Sequence, residues 1–592
     1  MIDKMKNWPM RVVGAELPFF ILMTLLIDYR AIYWFVKYPS GWLDDWHQYP
    51  LLRFLSISSV YSFILTCIVY YTKKELLKYL FYFVIVLLLC VDVFLFICAH
   101  TLISPNSLLF LSETNLREIN DFIHTYLFSL SGVFSLLLFA GLILVCVLAE
   151  KYRVEVSRCF SNISNRKRYF ISWILCFVLL GGFFSFRYFV ELFQCDSLEE
   201  ADRWSYHSMQ NADQISNLLF CVYDLKLAGE VLSKAEYQTK LVQQSCPQLL
   251  WKKDTIDVIL VIGESYSRYH SSIYGYPLKT NPYLACELQE GRLFAFSDVV
   301  SPYADTSESV RNTLSINSIG DNEKWYDLPF FPAIFREAGY RVLFWDNQYD
   351  ISSVAPYDFT LNAYLHGEMI ATISYDVQRP YISMYDADLV ADYQQYRSRH
   401  QTNQPIFTIF HLQGQHFSTE ERYPQIPEFQ HFTVDSIHRS EEWITNGKKQ
   451  VIAHYDNCTL YNDFVLDQII SIFRDRCSVL VYLSDHGEDI YDTGNNLGRR
   501  SDSLQSYEIP FFIWCSDKYK EKHGDIVDSI QKSVDKPLMT DNLGHLLLRL
   551  GGVRSKYYNE VRDVLSSSYQ CPFRIIGGNQ NYDLLKQKKK GG

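Results

Sequence analysis

Ionisable residues follow two apolar runs of this sequence, in a pattern that suits a metal ion. The run Val258–Ile262 is followed by Glu264. The run Val479–Leu483 is followed by Asp485 and His486. Short apolar runs of this kind are typical of buried parallel strands, and ligands gather at the carboxyl ends of such strands. Carboxylates and an imidazole around an open position make up a catalytic zinc site, so we expect one here.

A histidine after a third apolar run adds to this pattern. His416 follows the run Ile406–Phe410 at a distance of a few residues. We therefore expect ionisable side chains from three strand ends at the same edge of one sheet. The alternative interpretation is a loop histidine in contact with solvent.

A metal site that catalyses group transfer also needs a nucleophile, and the polar segment Ser301–Val310 offers several hydroxyl groups. Thr306, Ser307 and Ser309 are candidates from composition alone. The segment runs into a predicted helix, whose first N–H groups favour phosphate oxygens. Ser and Thr also cap helices for structural reasons only, and Ser265 beside Glu264 is a further rival.

Alternating apolar runs and helical stretches predict the elements that position these residues. This alternation is typical of a mostly parallel sheet with helices on both faces. Helices are expected at Phe331–Gly339 and Asp456–Phe473. The strands are predicted at Val258–Ile262, Arg341–Trp345, Ile406–Phe410, Val479–Leu483, Phe511–Trp514 and Phe573–Ile576.

The first third of the chain is predicted to span a membrane five times. Each span needs about 20 apolar residues to cross the hydrocarbon core. Asp92, inside the third span, is costly in lipid and should pair with another span. The bias of Lys and Arg towards alternate loops places the N-terminus in the cytoplasm and the chain after the fifth span outside. The spans are Val13–Val36, Phe54–Tyr71, Tyr79–Leu102, Tyr126–Leu148 and Tyr169–Phe186.

These patterns divide the chain into three predicted parts. Residues 1–190 form the five-span transmembrane domain, and residues 251–592 form an extracytoplasmic α/β domain. Residues 191–250 are interpreted as bridging helices at the membrane interface, or as a helical layer packed on the α/β domain. The net charge of −11, without basic clusters, argues against nucleic acid as a partner.

Several motifs of the α/β part resemble one known family. Taken together in their order along the chain, these motifs are similar to those of the membrane-bound phosphoethanolamine transferases of bacterial envelopes, within the sulfatase/alkaline phosphatase superfamily. Ser301–Tyr303 and Ser484–Asp492 look most like the branch that modifies lipopolysaccharide core sugar. The other matching segments are Gly263–Ser265, Tyr274–Pro277, Thr280–Pro282, His411–His416, Arg422–Pro424, Tyr455–Asn457 and Ser484–Glu488.

The resemblance implies a role for each candidate in the catalytic part. It implies a sulfatase/alkaline-phosphatase-like fold in which zinc is held by Glu264, Asp485 and His486, with Thr306 as fourth ligand and nucleophile. The spacing from Glu264 to Thr306 is close to the family pattern, which favours Thr306 over Ser265.

Substrate contacts are also implied by the resemblance. His416 matches a histidine near the substrate phosphate, and Ser307 is expected to contact substrate beside the nucleophile. Thr114 and Glu118 match a loop segment that holds the lipid head group. One zinc ion is implied and a second is left open, because residues 490–505 contain no histidine where many family members have one.

The resulting expectation is an enzyme of the bacterial inner membrane with a periplasmic catalytic domain. It would transfer phosphoethanolamine from phosphatidylethanolamine to lipopolysaccharide, on a core sugar or lipid A, through a covalent threonine intermediate. The first alternative is a phosphoglycerol transferase or a phospho-hydrolase with the same metal site. The second is a membrane binding protein without catalysis.

Overall fold

The computed structural model describes residues 8–30, 50–99, 103–104, 130–154, 164–195, 201, 204, 213–251, 255–320, 324–349, 365–416, 418–500, 503–577 and 580–591. The chain forms two compact units, Met1–Glu230 and Val231–Gly592. The three predicted parts, 1–190, 191–250 and 251–592, stay a prediction.

Helices account for nearly all of the described residues in the first unit. In chain order the helices are α1 (Trp8–Ala15), α2 (Leu17–Ile27), α3 (Pro50–Thr72), α4 (Glu75–Ala99), α5 (Leu130–Lys151), α6 (Ser164–Gln194) and α7 (Gln214–Gln244). Helices α3 to α6 are largely apolar and have 22 to 31 residues. Helix α7 is less apolar and continues past Glu230 into the second unit.

Four helices of the described chain are long and apolar enough to cross a membrane: Leu55–Thr72, Glu75–Leu95, Gly132–Lys151 and Ser172–Gln194. They correspond to the second to fifth predicted spans. The first predicted span, Val13–Val36, is not confirmed. Its described part is interrupted between α1 and α2, where Pro18 lacks the N–H that would continue the ladder. Its last residues, 31–36, lie outside the described residues.

Asp92 of α4 is paired within the helical unit. Arg30 donates from Nε to Asp92 Oδ2 at 2.5 Å and from Nη2 to Asp92 Oδ1 at 2.6 Å. Such a two-point pair offsets the cost of placing a carboxylate inside an apolar helix.

The second unit contains a seven-stranded sheet. Its strands are β2 (Asp257–Gly263), β3 (Leu293–Ala295), β5 (Arg341–Asp346), β6 (Val377–Gln378), β7 (Ile406–His411), β8 (Ser478–Ser484) and β11 (Phe511–Cys515). From one edge to the other their order is β3–β11–β8–β2–β7–β5–β6. Small two-stranded sheets pair the others: β1 (Gln248–Leu249) with β13 (Val553–Arg554), β4 (Val299–Val300) with β12 (Leu538–Met539), β9 (Asp489–Ile490) with β10 (Leu497–Gly498), and β14 (Ile575–Ile576) with β15 (Gln580–Asn581).

The sheet is mixed. Neighbouring strands from β8 to β6 run parallel, whereas β11 is antiparallel to both β8 and β3. An apolar run has the same composition in either direction, so the orientation of β11 was not visible in its sequence. The strand predicted at Phe573–Ile576 is also corrected, because only Ile575–Ile576 is extended and it pairs with β15 rather than joining the large sheet.

Helices cover both faces of the large sheet because β2 is apolar on both sides. Val258, Leu260 and Ile262 belong to one hydrophobic core, and Ile259 and Val261 belong to the other. The helices of this unit are α8 (Pro282–Gln289), α9 (Thr306–Leu314), α10 (Phe331–Glu337), α11 (Glu368–Ser374), α12 (Asp386–Arg399), α13 (Asn446–Phe473), α14 (Asp517–Lys522), α15 (Gly524–Gln531), α16 (Leu543–Leu550) and α17 (Tyr582–Gly591). Residues of α9, α10 and α16 pack into the first core, and residues of α8, α12 and α13 pack into the second.

Strand register brings the carboxyl ends of the central strands to one level. Gly263 of β2 pairs with Ser484 of β8, so Glu264 and Asp485 both follow the last paired residues. His411 of β7 pairs with Ile262 of β2 on one side and with Asp346 of β5 on the other. The edge of the sheet therefore presents ionisable residues from four adjacent strands.

Candidate metal centre

Glu264, Asp485 and His486 form a compact group of potential metal ligands. One ligand atom from each lies within 4.8 Å of the others. His486 Nε2 is 3.3 Å from Glu264 Oε1 and 3.4 Å from Asp485 Oδ2. All three side chains are buried, so bulk water screens their charges only weakly.

Hydrogen bonds orient these side chains as ligands. His486 Nδ1 lies 2.9 Å from the carbonyl oxygen of Gly487, so its proton is held there and the Nε2 lone pair points at the carboxylates. Asp485 Oδ1 accepts from the backbone N–H groups of Ser265 at 3.0 Å and His486 at 2.7 Å. Asp485 Oδ2 is buried without a hydrogen-bond partner. An unpartnered buried carboxylate oxygen beside an imidazole lone pair fits a bound zinc ion.

The pKa shifts of Glu264, Asp485 and His486 show that this group favours a bound positive charge. Burial alone would raise the pKa of Glu264, but the hydrogen bond and charge of His486 hold this pKa well below its usual range. Burial, and then the charge of Glu264, raise the pKa of Asp485. Burial would lower the pKa of His486, yet Asp485 and Glu264 raise it. The two carboxylates therefore favour a positive charge at His486 Nε2, and a dication bound to the lone pair of this nitrogen supplies more positive charge than a proton would.

Thr306 is the first residue of α9 and joins this group. The Asp305 side chain caps the helix by accepting from the N–H of Glu308 at 3.1 Å. Thr306 Oγ1 donates to Glu264 Oε2 at 3.0 Å. This hydroxyl therefore lies beside the ligand group, at a helix N-terminus that favours phosphate oxygens.

The rival hydroxyl groups of Ser309 and Ser265 are buried and do not line the cavity that Thr306 lines. Ser309 Oγ is buried and donates to the backbone carbonyl of Asp485. Ser265 Oγ is also buried and donates to Glu264 Oε1 at 2.7 Å. The side chain of Ser307 lies outside the described residues, as do Thr114 and Glu118, so their predicted substrate contacts stay predictions.

A cavity of about 430 Å³ opens above Thr306. Its wall combines cationic, amide and aromatic groups. The lining residues are Asp305, Thr306, Gln348, Tyr349, Ile382, Gln413, His416, Arg422 and Arg499.

His416 reaches this cavity through a tight turn after β7. Gly414 has φ +49°, and a Cβ there would stand 2.8 Å from the backbone nitrogen of Glu264. The N–H of Gln415 donates to the carbonyl of Glu264 at 2.9 Å. The absence of a side chain at Gly414 therefore lets the loop that carries His416 pack directly on the backbone of a ligand.

The cavity surroundings keep His416 neutral. Burial lowers its pKa; Glu264 raises it, whereas Arg422, Arg499 and His486 lower it. The net direction is downward, so the imidazole is unprotonated at neutral pH. A neutral imidazole can accept a proton from a hydroxyl group.

Sequence reasoning missed two residues of the site. Gln348 donates from Nε2 to Glu264 Oε2 at 3.1 Å and to the carbonyl of Leu412 at 2.8 Å. It follows the apolar strand β5, so the strand-end rule used for Glu264 applies to it as well. Arg499 lies 3.2 Å from His486 Nε2 through its Nη1, and no feature of the surrounding sequence pointed to it.

Comparison with known proteins matches this geometry to a family. The profile of the family described as Sulfatase matches residues 256–553, half of the chain. The chain belongs to the sulfatase family. The matched region contains Glu264, Thr306, His416, Asp485 and His486, so every candidate of the described metal centre lies within the sulfatase domain.

Two curated relatives of this chain are both named phosphoethanolamine transferases. Phosphoethanolamine transferase EptC of Escherichia coli (strain K12) is 26% identical over 344 residues, covering 55% of this chain and 56% of the relative. Phosphoethanolamine transferase EptA of Helicobacter pylori is 29% identical over 276 residues, covering 45% of this chain and 49% of the relative. The chain spans about half the length of these curated relatives.

A solved structure resembles the sulfatase domain. The C-terminal periplasmic domain of EcEptC from Escherichia coli has 25% sequence identity and a TM-score of 0.50. The match covers 57% of this chain and 96% of that domain. The α/β unit therefore has the fold of that periplasmic domain.

Proposed function

We propose that this protein transfers phosphoethanolamine from phosphatidylethanolamine to a lipopolysaccharide acceptor, a core sugar or lipid A, with zinc and a covalent Thr306 intermediate. The observation that carries the proposal is the 3.0 Å hydrogen bond from Thr306 Oγ1 to Glu264 Oε2, at the floor of an open cavity. A hydroxyl nucleophile next to metal-type ligands suits phosphoryl transfer. The names of the relatives supply the transferred group.

One zinc ion would be held by Glu264, Asp485, His486 and the hydroxyl oxygen of Thr306. When bound, it lowers the pKa of that hydroxyl and neutralises charge on the phosphoryl group. The burial of the ligands strengthens both effects, because the interior screens charge less than water does.

The first half-reaction forms the intermediate. Glu264 Oε2 accepts the hydrogen bond of Thr306, which fixes the hydroxyl oxygen for attack on phosphorus. A bond forms between Thr306 Oγ1 and phosphorus, and the bond from phosphorus to the diacylglycerol oxygen breaks. The proton of the Thr306 hydroxyl ends on that oxygen, and diacylglycerol leaves.

The second half-reaction regenerates the threonine. Neutral His416 accepts the proton of the acceptor hydroxyl as its oxygen bonds to phosphorus. The bond between phosphorus and Thr306 Oγ1 breaks, and the proton returns to the threonine oxygen. The acceptor then carries phosphoethanolamine, and the enzyme is unchanged.

The location follows from the substrate. A two-chain lipid donor is costly to move into water, so an enzyme anchored by membrane spans can take it from the bilayer. The bias of Lys and Arg towards alternate loops supports a catalytic part on the periplasmic face of the bacterial inner membrane. In this proposal residues 1–190 span the membrane, residues 191–250 bridge, and residues 251–592 catalyse.

Donor and acceptor analysis tests the function. The full chain with zinc is incubated with phosphatidylethanolamine or phosphatidylglycerol, with and without lipopolysaccharide. We expect diacylglycerol from phosphatidylethanolamine, and a mass gain of one phosphoethanolamine unit on the acceptor. Release from phosphatidylglycerol alone would instead support the phosphoglycerol transferase. Acceptor-independent turnover to free phosphoethanolamine would support a hydrolase, and a zinc-free protein without turnover would support a binding protein.

The pH profile provides a separate prediction for His416. Its lowered pKa means that the neutral base persists on acidification, so the acid limb of transfer should lie below about pH 6.5, the ordinary histidine value. His416→Gln should lower transfer by roughly 10²-fold and remove that limb. The matched control is His431→Gln, which changes an exposed histidine. An unchanged acid limb in His416→Gln would assign the titration to another group.

A further inference from the structure

The cavity above Thr306 has a positively charged wall. Arg422 and Arg499 both line it, and the charge of each lowers the pKa of His416, which lines the same cavity. Of the lining residues in the described chain, Asp305 alone carries a carboxylate. That carboxylate already accepts a hydrogen bond as the cap of α9. The cavity is therefore suited to an anion next to the nucleophile.

A small hairpin delivers Arg499 to this wall. Strands β9 and β10 pair through Asp489 with Gly498 and Ile490 with Leu497. The hairpin turn is held by Asp489, whose buried carboxylate accepts from the N–H of Asp492 at 2.9 Å. Gly498 has φ +90°, a conformation that glycine adopts without strain, and the chain then turns so that Arg499 faces the metal centre.

The position of the guanidinium is specific. Arg499 Nη1 lies 3.2 Å from His486 Nε2, the imidazole nitrogen that faces Glu264 and Asp485. The guanidinium of Arg499 therefore lies between the metal ligands and the cavity. A phosphoryl group bonded to Thr306 Oγ1 would occupy that same space, because Thr306 borders both the ligand group and the cavity.

We propose that Arg499 is a catalytic residue whose guanidinium binds the non-bridging oxygens of the phosphoryl group during its transfer to and from Thr306. This inference rests on the proposed function and adds the group that stabilises the reacting anion. A guanidinium presents two parallel N–H donors, which match two oxygens of one phosphoryl group. Donors fixed where charge resides in the transition state contribute directly to rate.

Arg499 also supplies a second positive charge at a centre with one metal-binding group. Among the residues that the structure describes, Glu264, Asp485 and His486 are the sole cluster with metal-ligand composition and spacing. The positive charges of one zinc ion and one guanidinium then offset the negative charge of the transferred phosphoryl group. Arg422, held by Gln413 Oε1 at 3.2 Å, adds charge at the cavity wall.

The test compares three variants of the full-length chain. Arg499→Gln should lower kcat/KM for transfer by roughly 10²- to 10³-fold. Arg499→Lys keeps the charge but loses the planar fork, so its activity should fall between that of Arg499→Gln and the unmodified chain. Arg500→Gln is the matched control, because Arg500 binds Asn496 Oδ1 at 2.8 Å and does not line the cavity.

Two further readouts separate the proposal from a structural role and from the function itself. Elemental analysis should find one zinc ion per chain in the unmodified protein and in all variants. Two ions per unmodified chain would overturn the assignment, and so would loss of zinc from Arg499→Gln. Calorimetric binding of phosphoethanolamine should weaken about tenfold in Arg499→Gln, a loss of about 1.4 kcal/mol. Unchanged binding and kcat/KM in Arg499→Gln would also overturn it. Weakened binding in a chain without transfer activity would retain the anion site and reject the proposed function.

Discussion

Thr306→Ala should lower phosphoethanolamine transfer by at least about 10³-fold, because it removes the oxygen that forms the covalent intermediate. Single-turnover incubation with phosphatidylethanolamine should yield a phosphoethanolamine adduct on Thr306 in the unmodified chain, and none in the variant. Thr306→Ser should retain part of the activity, since it keeps a hydroxyl at the start of α9. Peptide mass spectrometry locates the adduct.

Thr313→Ala is the matched control for this experiment. Thr313 lies on the same helix, is buried, and contacts Thr540 Oγ1 rather than the metal centre. It should leave the adduct in place. An adduct on another residue, or undiminished transfer by Thr306→Ala, would remove Thr306 from the mechanism.

Removal of the metal should abolish activity and destabilise the α/β unit together. Glu264 and Asp485 are buried side by side, so without a cation their charges repel or must take up a proton. A ligand that binds only the folded state adds about 4 kcal/mol at a concentration 1,000 times its Kd. Chelation should therefore lower the melting temperature as well as the rate, and added zinc should restore both.

Asp485→Asn provides the genetic counterpart of chelation. It should reduce bound zinc, measured by elemental analysis, and lower transfer by at least about 10²-fold. Asp463→Asn is the control: Asp463 is equally buried but accepts from the backbone N–H groups of Tyr283 and Leu284, away from the ligands. Full activity of the chelated enzyme would contradict the metal mechanism.

The ligands were accessible to sequence reasoning because each follows a recognisable strand. The apolar runs before Glu264 and Asp485 are long enough to predict β2 and β8, and parallel pairing then places their ends together. The same rule extends to Gln348 after β5. A local sequence pattern thus predicted part of the site, because residues that follow parallel strands lie together at one edge of the sheet.

Other features depend on tertiary structure that no short pattern encodes. Arg499 reaches the site through β9 and β10, strands of two residues each, which are too short to show periodicity. The distinction between Thr306 and Ser309 depends on side-chain direction at the start of α9, where both residue types are common. The direction of β11 depends on which neighbours it pairs with, and its apolar residues suit either orientation.

The origin of the ligands in distant parts of the chain has a consequence for folding. Ser265, whose backbone N–H donates to Asp485 Oδ1 at the site, is 220 residues from Asp485 in sequence. Closing so long a loop adds little to the free-energy cost of folding. It slows the formation of the site, because contacts between residues far apart in sequence form slowly. A nascent chain that has not yet reached β8 has only the first carboxylate. Capture of the ion must therefore follow synthesis of nearly the whole polypeptide, and truncated products would remain without it.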